Sequence, residues 1–177
     1  MTEVYRDITQ YPLTDDDLRK LLGSDISIMT YPELKNCRDI DEVFDRKGRC
    51  MILFLNQSPN SGHWCCLIRR ADSIEFFDPY GEDPDDVVSD VPEPLLKRLD
   101  MDKPYLTQLL RRKGMPVYYN HHAFQNGSPN FATCGRQCAV RLMYAPKTLD
   151  EYYSIIKSSK QTPDMFVSAI TYDKLRK

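Results

Sequence analysis

No apolar run in the chain comes near the roughly 20 residues needed to cross a bilayer, and the polar start (Thr2, Glu3, Tyr5, Arg6, Asp7) lacks a basic-then-apolar signal pattern. Secretion is therefore not expected, and the six cysteines are expected to stay reduced rather than form a disulfide frame. An excess of either charge is also missing. Lys and Arg number 24 against 26 Asp and Glu, a net charge of −2, which argues against a dedicated nucleic-acid binder. The seven glycines fall in no phosphate-loop or dinucleotide spacing, and Gly-x-Ser-x-Gly does not occur. Cys-x-x-Cys is absent, Cys134 and Cys138 are three residues apart, and His63-x-Cys65 lacks the glutamate of a zinc deaminase, so no metal or other cofactor is expected.

What is present suffices for one folded domain over residues 1–177. A chain of this length buries about two-thirds of its unfolded surface without staples. Runs rich in β-formers at Met51 to Leu55, Trp64 to Ile68, Ile74 to Phe77 and Val117 to Tyr119 predict strands. The first two are almost continuously apolar, as in strands covered on both faces. Helices are predicted near Asp15 to Leu22, Asp39 to Asp45, Tyr105 to Arg112, Cys134 to Tyr144, Leu149 to Lys157 and Asp164 to Thr171. Thr148 with Glu151 reads as a capping box, and Thr162-Pro163 as an N-cap followed by proline at the first helical position. Glu82, Asp83, Asp85, Asp86, Asp90 and Glu93, interleaved with Pro84 and Pro92, read as an exposed, solvated loop.

Two segments carry chemistry. Gly62 to Ile68 and Ser73 to Asp78 predict a hairpin closed by Arg69 to Asp72. Pairing Ile68 with Ser73 puts Trp64 opposite Phe77 and His63 opposite Asp78, a carboxylate beside an imidazole. The loop from Phe124 to Thr133 delivers Cys134 to the start of a helix, where unpaired amides and the helix dipole favour a thiolate. Gly135 leaves room for a substrate carbonyl, and Gln125 is a candidate second donor to an oxyanion. Cys37, Cys50, Cys65, Cys66 and Cys138 read as core residues, and His121 and His122 as surface ones.

The order His63-Trp64, Asp78, Gln125, Cys134-Gly135 resembles the cysteine proteases related to adenain and the Ulp1-type ubiquitin-like-protein proteases. The stretch Pro129-Asn130-Phe131-Ala132-Thr133-Cys134-Gly135 is closer to adenain's active-site loop than to the Asp-Cys-Gly of the SUMO proteases, and Tyr31-Pro32-Glu33-Leu34 with Phe77-Asp78-Pro79-Tyr80-Gly81 is similar to maturation proteases of virophages, polinton-like elements and large DNA viruses. The resemblance implies an α+β, permuted papain-like fold with a central mixed or antiparallel sheet packed by helices. It makes Cys134 the nucleophile, His63 the general base, Asp78 its orienter and Gln125 an oxyanion donor, with Trp64 beside the base and Gly135 in the substrate site. Gln125 and Cys134 lie farther apart than is usual in the family, so Asn126 and Asn130 stand as alternatives. The implied activity is a viral endopeptidase that cuts capsid or structural precursors after small, glycine-rich motifs. The alternative is an isopeptidase acting on SUMO- or ubiquitin-modified host proteins. A protein substrate, no membrane, a monomer, and a place in the virion or host cytoplasm are expected; a peptide or nucleic-acid activator stays open.

Overall fold

The structure, a computed structural model, describes residues 8–58, 61–128 and 131–177. It is α+β, a five-stranded mixed sheet packed by helices. The strands are β1 (Ser27–Thr30), β2 (Arg49–Ser58), β3 (Ser61–Arg69), β4 (Ile74–Phe77) and β5 (Val117–Tyr119), in spatial order β1-β2-β3-β4-β5. The pairs β1/β2 and β4/β5 are parallel, and β2/β3 and β3/β4 antiparallel. Residues 51–55 of β2 and 64–68 of β3 are all buried, as strands covered on both faces require. On one face Tyr31 packs on Phe54, with ring centroids 4.8 Å apart, and Phe54 on Phe76 at 6.2 Å. On the other, Phe77 meets Phe124 at 5.2 Å and Tyr152 at 6.4 Å.

The helices are α1 (Asp15–Leu22), α2 (Pro84–Ser89), α3 (Glu93–Arg98), α4 (Tyr105–Lys113), α5 (Cys134–Met143), α6 (Leu149–Ser158) and α7 (Pro163–Leu175). The Thr148/Glu151 capping box starts α6, and Thr162 caps α7 with Pro163 in its first turn. Predicted helix 39–45 is instead a short 3-10 turn, Ile40–Val43. A second 3-10 turn, Tyr31–Asn36, opens with a Thr30/Glu33 box. The acidic stretch is not a plain loop. Pro84 and Pro94 sit in the first turns of α2 and α3, where a missing N–H costs nothing, and Pro84 and Val87 are buried.

Helix α5 lies against β3 and β4. The Cys138 thiol donates to the Trp64 carbonyl at 3.3 Å. One turn on, buried Arg141 grips Glu75 with Nε and Nη2 at 2.8 and 2.9 Å, and also caps the carbonyls of Tyr144 and Lys147. Removing one partner of such a buried pair costs about 3–5 kcal/mol, so this clamp fixes where the helix start can sit.

Candidate active site

His63 is the third residue of β3, opposite Phe54 of β2. Its neighbour Gly62 must be glycine, because a Cβ there would lie 2.0 Å from the Phe54 carbonyl oxygen. The hairpin with β4 pairs Arg69 with Ile74 and Cys66 with Phe77, so its connection is 70–73 and its register is two residues away from the one predicted. Continued past the ladder, that register puts Cys65, not His63, opposite Asp78, and His63 opposite Tyr80. Side chains alternate with period two, so the shift leaves His63 and Asp78 on one face as diagonal neighbours. His63 Nε2 is hydrogen-bonded to Asp78 Oδ1, the Cys65 thiol reaches the same oxygen at 3.6 Å, and the Tyr80 ring stacks on the imidazole at 4.9 Å.

Asp78 is completely buried and held on three sides. Asn120 accepts from its backbone N–H at 2.9 Å and donates to its carbonyl at 2.5 Å, while the Glu82 N–H donates to Oδ2 at 2.8 Å. Asn120 follows β5, which runs parallel to β4, so the two strand ends meet. Only a reading that paired those strands could have found it.

Cys134 opens α5. The segment before it is tied down by the Ala132 N–H donating to the Thr9 carbonyl at 2.7 Å and by Asp164 in the first turn of α7. The buried Asp164 carboxylate accepts from the Thr133 hydroxyl, from Gln137 Nε2 at 3.2 Å and from the Asn126 N–H at 2.9 Å. In the sequence Asp164 looks like any acidic residue in a first turn, so no signal marked it. Gly135 packs against Trp64: a Cβ on it would come within 3.2 Å of the indole Cδ1 and 3.3 Å of Leu13 Cβ.

The half-buried Cys134 feels the hydrogen-bonding capacity and charge of His63, and with Nε2 bonded to Asp78 Nδ1 is the ring nitrogen left for a further partner. Burial opposes a thiolate, yet the hydrogen bond and charge of His63, with the Trp64 and Gly135 amides, hold the Cys134 pKa below that of an ordinary thiol. Burial likewise opposes the imidazolium, but Asp78 and Cys134 raise His63 above its usual value. Burial pushes the Cys65 thiol far up, so Cys65 stays neutral, and the charges facing His63 are those of Asp78 and Cys134. The two shifts favour a thiolate–imidazolium pair. His63, Cys65 and Asp78 also place three ligand atoms within 4.8 Å of one another, the place among the described residues where an ion could be held. The His63–Asp78 hydrogen bond and the protonated Cys65 compete against that use.

Gln125 is nine-tenths buried. Its backbone N–H donates to Pro79 O at 2.9 Å, tying it to the turn that carries Asp78. Its Nε2 spends one N–H on the Phe131 carbonyl at 3.1 Å and has a second, while Oε1 has no hydrogen-bond partner among the described residues. Asn126 is exposed and its side chain accepts from the Ser128 N–H in a local turn; Asn130 lies outside the described residues. Cys134 stands between two clefts. One, of about 600 Å³, is floored by Leu13, Ile28, Met29, Leu53 and Trp64. The other, of about 400 Å³, holds His63, Tyr80, Gln125, Glu82 and Asp90.

Protein V9 of Sputnik virophage, itself uncharacterized, is 35% identical to this chain over 164 residues, covering 90% of the chain and 93% of V9. The chain belongs to the V9 family. No protein-family model matches it. Among solved structures, the C-terminal Ulp1 protease domain in complex with Smt3, the yeast ortholog of SUMO, aligns with a TM-score of 0.38 and 16% identity over 97% of this chain and 82% of that one. At that score the alignment carries no argument, and the chemistry of this V9 relative rests on its own geometry. His121 and His122 take no part in it. Both are exposed, and His122 stacks on Tyr153 at 4.8 Å. No helix among the described residues is long and apolar enough to cross a membrane.

Proposed function

We propose that this V9-family protein is a cysteine peptidase acting as a single-domain monomer, and that it cuts viral capsid or structural precursors after small, glycine-rich motifs. The observation that carries the reading is the relay Cys134–His63–Asp78, with the thiol at the start of a helix and its pKa lowered. His63 takes the thiol proton, and Cys134 Sγ attacks the scissile carbonyl. The oxyanion meets the backbone amides at the start of α5 and the free N–H of Gln125. The tetrahedral intermediate collapses as His63 gives its proton to the leaving amine, and water then hydrolyses the acyl-thioester. Asp78 keeps the imidazole in the tautomer that presents Nδ1 to sulfur. The permuted order of these residues along the chain, on a mixed sheet packed by helices, also supports the reading.

The test incubates the protein, and its Cys134→Ala variant, with the structural precursors of the virus that encodes it, and maps new N-termini by mass spectrometry. Cuts after small residues that vanish with Cys134→Ala are expected. Intact precursors alongside hydrolysis of SUMO or ubiquitin C-terminal esters would move the activity to the isopeptidase class. Inertness toward both overturns the peptidase reading.

A further inference from the structure

The proton that His63 gives up goes to the leaving amine, so on the peptidase reading the segment released first lies on the His63 side of Cys134. That side is the smaller cleft. Its walls carry Glu82 and Asp90, and among the described residues neither side chain makes an ion pair or a hydrogen bond, whereas Glu93 of the same acidic stretch is paired with Lys97. Among the described residues no Lys or Arg lines the cleft. Gln125 lines it as well, nine-tenths buried, and its Oε1 lacks a donor among the described residues. Two unpaired carboxylates and the Gln125 side chain thus line a space beside the nucleophile, and cationic N–H donors would satisfy them.

We infer that this cleft selects substrates with Lys or Arg in the first residues after the scissile bond, read by Glu82 and Asp90 with Gln125 Oε1 as a further acceptor. The inference rests on the peptidase reading and adds the specificity of its leaving-group side. Burial, together with the charges of Asp90 and Asp78, raises the Glu82 pKa against the opposing charge of His63.

The experiment starts from a peptide the protein cuts, found by mass spectrometry of a peptide library. That peptide is then remade with Lys, Ala or Glu at the first two positions after the bond. The ratio of kcat/KM for Lys over Glu is expected to be about tenfold or more, the size of two partly exposed charge pairs, and to shrink as salt is raised. Glu82→Gln with Asp90→Asn should bring the ratio to within about twofold of unity, and Asp90→Lys should invert it. The ratio is internal to each variant, so partial unfolding does not change it. A wild-type ratio near one, or a ratio the variants leave in place, overturns the specificity while the peptidase reading stands. A library left uncut overturns both.

Discussion

Replacing His63 with alanine removes the partner that sets the Cys134 pKa, and the sign of the result follows from the balance at the thiol. Burial alone would push Cys134 up, as it does Cys50 and Cys65; His63 first, and then the Trp64 and Gly135 amides, more than cancel it. The thiolate therefore persists to lower pH in the wild type, and it is lost as pH falls through the lowered Cys134 value. The imidazolium disappears as pH rises through the raised His63 value, and the reactive pair occupies the window between. Each unit by which His63 holds the thiol down is a tenfold change in thiolate fraction on the acid side, or 1.36 kcal/mol. An ordinary thiol is only about 0.3% thiolate at pH 6, and in His63→Ala burial works against the Cys134 thiolate with only the Trp64 and Gly135 amides left to oppose it. Iodoacetamide labelling, followed residue by residue by mass spectrometry across pH, should show Cys134 reacting first in the wild type and at least about tenfold more slowly at pH 6 in the variant. An unchanged rate, or Cys65, Cys66 or Cys138 labelled as fast as Cys134, would refute the thiolate–imidazolium pair.

Asp78→Asn should keep the fold, because the backbone bonds to Asn120 remain, yet lower kcat by about three to four orders of magnitude through the wrong imidazole tautomer; steady-state kinetics within a few-fold of wild type would take Asp78 out of the site. Gln125→Ala should cost about a hundredfold in kcat with little change in KM, whereas Asn126→Ala, altering an exposed turn, should turn over normally; the reverse pattern would move the donor role. Asp164→Asn strips charge from an acceptor of three hydrogen bonds and forces one donor to face an amide N–H, a loss of about 2–4 kcal/mol. That is about 5–15 °C in Tm for a chain of this size, and a shift under about 2 °C in a thermal melt would show that Asp164 does not hold the loop.

What could be read from the sequence was what neighbouring residues decide among themselves. Alternation and β-branched content located β4 and β5 to the residue, and capping residues located the starts of α6 and α7. Strand β1 escaped because Ile28 and Met29, flanked by Ser27 and Thr30, are half-buried on a sheet edge and give too short a pattern. The acidic stretch was misjudged for a related reason. Its charges are solvated along α2, but Pro84 and Val87 pin that helix to the core, which composition weighted toward Asp and Glu conceals.

The site shows why a wrong register could still bring His63 and Asp78 together. A hairpin slipped by two keeps every side chain on its face, so His63 and Asp78 stay neighbours whichever of the two pairings holds; a slip of one would have separated them. The price of the two-residue error falls on their surroundings instead. It hides the fact that Cys65 occupies the place across from Asp78 and that Tyr80 reaches the imidazole. Cys65 then supplies a neutral, buried neighbour beside a charged relay, and Tyr80 a ring that shields one face of His63 from water. Both act on the pair by excluding solvent, which strengthens the Asp78–His63–Cys134 electrostatics. Residues that act this way carry no motif, because any group of suitable size serves, and they emerge only when the strands are placed side by side.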